Sequence, residues 1–327
     1  MRSVPSRLSS GAVSVLVAVG LAVLWLPGCG DDDENPTPTG EFLITLTGFE
    51  PLPAGHHYEA WARFPPPPPP GGIRVEHGDE DPVSLGAFQV TEDGDIVSLE
   101  DGAVTFELAE PRDLQTVADV VITVRESKPD TTIGSVLIGG EMAGDQNEGR
   151  ATLTMDYHDA LFADIRTASG SCILATPSDG DNGNENQGLW FSTPTGTPAL
   201  TLPALAGGWR YDAYLLLGAK EIALGSFTRG DTADSDGAGA EGGLLGGFNT
   251  PGSDFLISAL NLSNGGVSVL VALQPGEDEH EGFRAHGSVF PYHVLELDIP
   301  AGTLPRTSMA LEVATEPLPS GTVTLPR

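Results

Sequence analysis

Two stretches of this chain repeat one another. "LTGFEPLPAGHHYEAWARF" runs from Leu46 to Phe64 and "LPALAGGWRYDAYLLL" from Leu202 to Leu217, so that Tyr58-Glu59-Ala60-Trp61 matches Tyr211-Asp212-Ala213-Tyr214. The likeness continues in the same order. "SLGAFQV" from Ser84 is echoed by "ALGSFTR" from Ala223, "VVITVRES" from Val120 by "VSVLVALQ" from Val267, and "SGSCILATP" from Ser169 by "SGTVTLP" from Ser320. Four matches in one order point to an internal duplication. The repeated segments alternate with a period of two. Tyr58, Ala60, Ala62 and Phe64 fall on one face of a strand, and Glu59, Trp61 and Arg63 on the other. In the second copy Tyr211, Ala213, Leu215 and Leu217 share a face, and Val120, Ile122 and Val124 suit a buried strand.

The chain has 42 glycines and 27 prolines, and no long helical pattern appears. Short strands joined by Gly/Pro turns are the expectation, which makes the fold class all-β. Units of about 140 residues with strands this closely spaced suggest Ig-like antiparallel β-sandwiches. The expected organisation is a signal peptide over 1–28, an acidic tether over 29–40, a first sandwich over 41–178, a linker over 179–185 and a second sandwich over 186–327. Each sandwich is expected to fold by itself. The copies differ between Phe64 and Gly86, where the first inserts "PPPPPPGGIRVEHGDEDP". Six prolines in polyproline II extend about 19 Å without backbone donors, which reads as a stiff surface loop, or else as a docking site.

The N-terminus sets the compartment. Arg2 and Arg7 precede an apolar run from Ala12 to Leu26, which is shorter than the roughly 20 residues of a spanning helix and has the layout of an export signal. Leu26-Pro27-Gly28-Cys29 follows. It resembles the lipobox of bacterial lipoproteins, in which the signal is cut before the cysteine and the cysteine is lipidated. That implies Cys29 as the lipidation site, a membrane anchor through N-terminal lipid, and a place in the cell envelope facing the periplasm or the cell surface, with the outer membrane favoured. Gly30 to Gly40 contains no apolar side chain and reads as a solvated tether.

Composition excludes some partners. The formal net charge is −31, from 46 acidic and 15 basic residues. Such a surface repels phosphate backbones, so no nucleic-acid partner is expected. It also repels anionic lipid headgroups.

The set Tyr58-x-x-Trp61, then Gly86-x-Phe88, then Ile122-Thr123-Val124 before a Pro turn resembles the extracytoplasmic domain of anti-sigma-K (RskA-type) proteins. The resemblance covers most of 41–327, with Tyr214 in place of the tryptophan in the second copy. It implies the sandwich fold and an extracytoplasmic location. Members of that family carry a cytoplasmic sigma-binding module and a spanning helix ahead of this domain. Here only a short basic segment precedes the apolar run, so no direct sigma-factor contact is expected.

No complete catalytic signature appears in the sequence. Gly237 to Gly242 fits G-x-G-x-x-G formally, but it lies among acids and lacks the strand–turn–helix context, so it reads as a loop. His280-Glu281 and His286 lack the spacing of a zinc-protease helix. His56, His57, His77, His158 and His293 are dispersed in sequence. A zinc site would have to assemble in space from them. Asp179, Asp181, Asn182, Asn184 and Glu185 offer oxygen donors of the kind calcium prefers, without the EF-hand pattern, so no cofactor is expected beyond weak calcium binding there, and a polar linker is the plainer reading. Cys172 lies in an apolar stretch and reads as a buried, inert thiol. The reading is therefore a non-catalytic, lipid-anchored envelope protein that serves ligand or partner binding, adhesion or envelope organisation, with an envelope protein or a glycan as the partner. The alternative is an extracytoplasmic sensing component of a sigma/anti-sigma circuit.

Overall fold

The computed structural model of the chain describes residues 40–65, 81–100, 102–126, 133–161, 163–178, 180, 183, 185–206, 208–234, 248–255, 260–276 and 289–327. The strands of the first half are β1 (Leu43–Thr47), β2 (His56–Phe64), β3 (Asp81–Val90), β4 (Ile96–Ser98), β5 (Asp119–Glu126), β6 (Ser135–Glu141), β7 (Ala143–Gly144), β8 (Glu148–Leu153) and β9 (Ser169–Leu174). Then come β10 (Gly188–Trp190), β11 (Leu200–Thr201), β12 (Trp209–Leu217), β13 (Lys220–Phe227), β14 (Gly252–Asp254), β15 (Val267–Pro275), β16 (His293–Asp298), β17 (Met309–Ala310), β18 (Glu312–Val313) and β19 (Ser320–Pro326). The protein is an all-β sandwich built of antiparallel sheets. Among the described residues there is no α-helix, only short 3-10 turns, and no helix long and apolar enough to cross a membrane. The lipobox and most of the hexaproline stretch lie outside the described residues.

Two central sheets have the orders β4-β3-β2-β5-β6 and β13-β12-β15-β16-β18. The sequence repeat has its counterpart here. β2 lies between β3 and β5 as β12 lies between β13 and β15. A bulge interrupts β2–β3 at Ala60/Trp61 and β12–β13 at Ala213/Tyr214. A second interrupts β5–β6 at Ile122/Thr123 and β15–β16 at Val271/Ala272. Opposite Ala60 and Ala213 stand Gly86 and Gly225, with φ of 144° and 126°, a backbone that side chains other than glycine rarely adopt. The repeated tyrosines do the same work as well. The Tyr58 hydroxyl donates to the carbonyl of Glu50 at 2.8 Å, and Tyr211 to that of Pro203 at 2.6 Å, each eight residues upstream. A buried phenol needs such a partner, and both copies find it in the chain entering the strand.

The faces are those the alternation predicts. Tyr58, Ala60, Ala62 and Phe64 belong to one buried hydrophobic cluster with Val120, Ile122 and Val124, and so do Tyr211, Ala213 and Leu215. Trp61 and Val121 are buried but stand on the other face, outside that cluster. The same cluster takes Leu46, Leu153, Val323, Leu174 and Leu189 from two flanking sheets, whose orders are β1-β19-β8-β7 and β11-β9-β10-β14, with β17 also on β9.

Two strands pair across the limits 41–178 and 186–327. β9 lies in the first range, yet its partners β10, β11 and β17 all lie in the second. β19 lies in the second, yet it sits between β1 and β8 of the first, with Val323 opposite both Ile44 and Ala151. These are the two segments, "SGSCIL" and "SGTVTL", that close the two copies of the repeat. Each copy lends its closing strand to the other. Cys172, Leu174, Val323 and Leu325 are 0% exposed, and full burial of a Val or Leu side chain contributes about 1.5–3 kcal/mol. The sequence boundary failed to foresee this because alternation fixes a strand's faces and says nothing of its neighbours.

Candidate functional site

Of the residues singled out from sequence, Leu26, Pro27, Gly28 and Cys29 lie outside the described residues, as do Asp179, Asp181, Asn182 and Asn184. Glu185 is described and buried. One carboxylate oxygen accepts from the Thr176 backbone N–H at 3.0 Å, and the other lies 3.3 Å from Arg306 Nη2. Its oxygens thus pin the chain between β9 and β10. Cys172 is fully buried, and burial pushes its thiol up to about 12, which leaves it protonated and unreactive at neutral pH.

A ladder of polar and aromatic side chains covers the face of the first central sheet turned away from the hydrophobic cluster. β2 supplies His57, Glu59, Trp61 and Arg63; directly opposite on β5 stand Arg125, Thr123, Val121 and Asp119. Alternation brings them together, because every second residue of each strand shares a face. Arg63 grips Asp119 through Nε at 2.6 Å and Nη2 at 2.9 Å, and Nη2 also reaches Asp159 at 2.8 Å. The Tyr157 hydroxyl donates to Asp119 at 3.0 Å, and burial followed by the Asp119 charge raises its pKa. Two rungs along, Glu59 accepts from Arg125 Nη1 and from Ser84 Oγ, both at 2.6 Å. The Arg125 guanidinium lies 5.5 Å from the Trp61 ring centre, and Trp61 Nε1 donates to Thr123 at 3.0 Å. His57 closes the ladder, and burial is the main cause that lowers its pKa. Planar guanidinium forks suit such carboxylate pairs. The two carboxylates are held as hydrogen-bond acceptors, so the ladder is rigid.

The second central sheet carries a related arrangement on its corresponding face. Asp212, 0% exposed, lies 3.2 Å from Arg210 Nε and accepts from the Tyr214 hydroxyl at 3.2 Å. Glu59 and Asp212 are equivalent in the repeat, so a buried carboxylate paired with an arginine recurs.

Further along that face stand His293 and Glu296 of β16, with Glu316 from the segment before β19. Their ligand-type atoms all lie within 4.8 Å of one another. His293 Nδ1 is 4.0 Å from Glu316 Oε1. Residues three apart on a regular strand point to opposite faces. Here the bulge at Val271/Ala272 pairs Leu270 with Glu296 and Ala272 with His293, so that Val294 is the extra residue and both side chains share one face. Glu312 is the cross-strand partner of Glu296. Burial, then the charges of Glu316, Asp298 and Glu312, raise the Glu296 pKa. The sequence placed His293 among dispersed histidines. The only signal that could have found the cluster is the bulge, which leaves no mark on residue spacing.

The fold and these faces define an antiparallel β-sandwich protein with arginine–carboxylate pairs buried on both central sheets. The chain matches no protein-family model, no curated protein and no solved structure.

Proposed function

We propose that this chain is a non-catalytic, lipid-anchored protein of the bacterial cell envelope, whose β-sandwich body is displayed on an acidic tether to bind a ligand, an envelope protein or a glycan. The observation that carries this reading is the basic segment and short apolar run that end in Leu26-Pro27-Gly28-Cys29, ahead of a chain whose described residues fold as β-sheets. The ladder on the first sheet adds support, because its carboxylates are engaged by Arg63 and Arg125 in ion pairs rather than disposed as an acid and a base around a cleft. The resemblance to RskA-type extracytoplasmic domains favours tandem Ig-like sandwiches and supplies the second reading, a sensing component of a sigma/anti-sigma circuit that acts through a membrane partner.

Cells expressing the wild type and Cys29→Ala, fed a clickable fatty acid, test the anchor. The wild type is expected to carry label and the variant none, with the variant retained as uncut precursor or released. Equal label in both would reject the lipoprotein reading. Protease shaving of intact cells then separates an outer-surface location from a periplasmic one. For the second reading, recovery of a sigma factor crosslinked directly to this chain would place the body in the cytoplasm and overturn the topology.

A further inference from the structure

We propose that His293, Glu296 and Glu316 form a divalent-cation site of the zinc type. Three side chains from two segments far apart in local geometry converge: their donor atoms lie within 4.8 Å of one another. Zinc bonds to imidazole nitrogen and carboxylate oxygen are about 2.0–2.2 Å, so donors around one ion stand about 3–4 Å apart, and small side-chain rotations close the remaining gap.

The donor set decides the metal class. One imidazole nitrogen with two carboxylate oxygens suits zinc and its transition-metal neighbours, whereas calcium and magnesium take oxygen alone. Three protein donors leave a fourth position open to water or to a donor atom from outside the chain.

The scaffold holds the three residues in place. The bulge sets His293 and Glu296 on one face of β16. The Ala314 N–H donates to the Val294 carbonyl at 3.1 Å, which fastens the chain just after β18 against β16. Arg166 Nη2 donates to the Glu316 carbonyl at 3.3 Å and fixes that backbone. The local charge favours a cation as well. Glu312 stands directly opposite Glu296, and like charges on a cross-strand pair oppose folding. A dication beside them offsets that repulsion.

Calorimetric titration tests the site on the full chain, purified in detergent without an affinity tag and stripped with a chelator. Zinc chloride and calcium chloride are the probes. The expected result is saturable zinc binding that weakens at least tenfold in His293→Ala and in Glu316→Gln, with calcium binding unchanged by His293→Ala. Glu316 is half-exposed, so its variant keeps the fold while removing a ligand, and circular dichroism checks this for both variants. Zinc isotherms that superimpose for wild type and variants, or the lack of any saturable zinc binding in the wild type, overturn the proposal. Loss of calcium binding in His293→Ala equal to the loss of zinc binding overturns the assignment to the zinc class.

Discussion

The hydroxyls of Tyr58 and Tyr292 lie 2.6 Å apart in the buried interior, 234 residues apart in sequence. Tyr58 has one proton, and its geometry commits that proton to the Glu50 carbonyl. Tyr292→Phe removes one buried hydrogen bond and leaves Tyr58 satisfied, at an expected cost of about 1 kcal/mol. Tyr58→Phe removes both buried hydrogen bonds of that phenol, and is expected to cost about 2–4 kcal/mol. Urea unfolding of the two variants checks the order.

The exchanged strands predict how fragments behave. A piece spanning 41–178 keeps β9, whose partners it lacks, and is missing β19, which lies between β1 and β8. It is expected to stay unfolded or to aggregate through the open edges. Residues 41–168 joined by a glycine-rich linker to 319–327 restore the missing strand and are expected to melt cooperatively. Thermal melts followed by circular dichroism compare the two. Cooperative folding of 41–178 with β9 in place of β19 would show that the closing strands are interchangeable.

Gly140 on β6 marks a close approach. A Cβ there would stand 2.1 Å from the Thr152 carbonyl oxygen of β8, a backbone atom that no rotamer change can move away. Gly140→Ala is expected to destabilise by about 1–3 kcal/mol or more, since overpacking forces β8 away from β6. At Gly55 a Cβ would meet nothing within 4 Å, and the backbone φ of 90° is then the only cost of alanine. Denaturation of the pair separates crowding from backbone strain.

His57 predicts a pH dependence. Burial lowers its folded pKa below the unfolded 6.5. The unfolded chain then binds the proton more readily, so stability rises with pH through this window and is lost as pH falls from 6.5 toward the folded value. His57→Gln is expected to flatten the fall in unfolding free energy between about pH 7 and pH 5 while leaving the carboxylate-driven loss at lower pH. Equal slopes for variant and wild type in that range would assign the dependence elsewhere.

Part of this architecture is legible in the sequence because strand alternation is local. The faces of β2, β5 and β12 follow from residue type alone, and so does the burial of Cys172. Pairing partners are nonlocal. Nothing in "SGTVTLP" says that Val323 will face Ile44 and Ala151 rather than residues of its own copy. The ladder of Glu59, Trp61 and Arg63 was visible as the polar face of a strand, but its meaning depends on Arg125 and Asp119 arriving in register. The His293 cluster escaped for a sharper reason: a one-residue bulge inverts the parity on which sequence reading relies.

The position of β1 gives the protein a mechanical character. It is the first strand of the fold and runs antiparallel to β19, with Leu43 opposite Thr324 and Thr47 opposite Ser320. A pull on the chain ahead of β1, with the rest of the fold held, acts along β1 and loads its backbone hydrogen bonds to β19 side by side rather than one after another. Because β19 belongs to the far end of the repeat, tension entering at β1 passes at once into both copies. The two halves of the chain resist being pulled apart as one buckle.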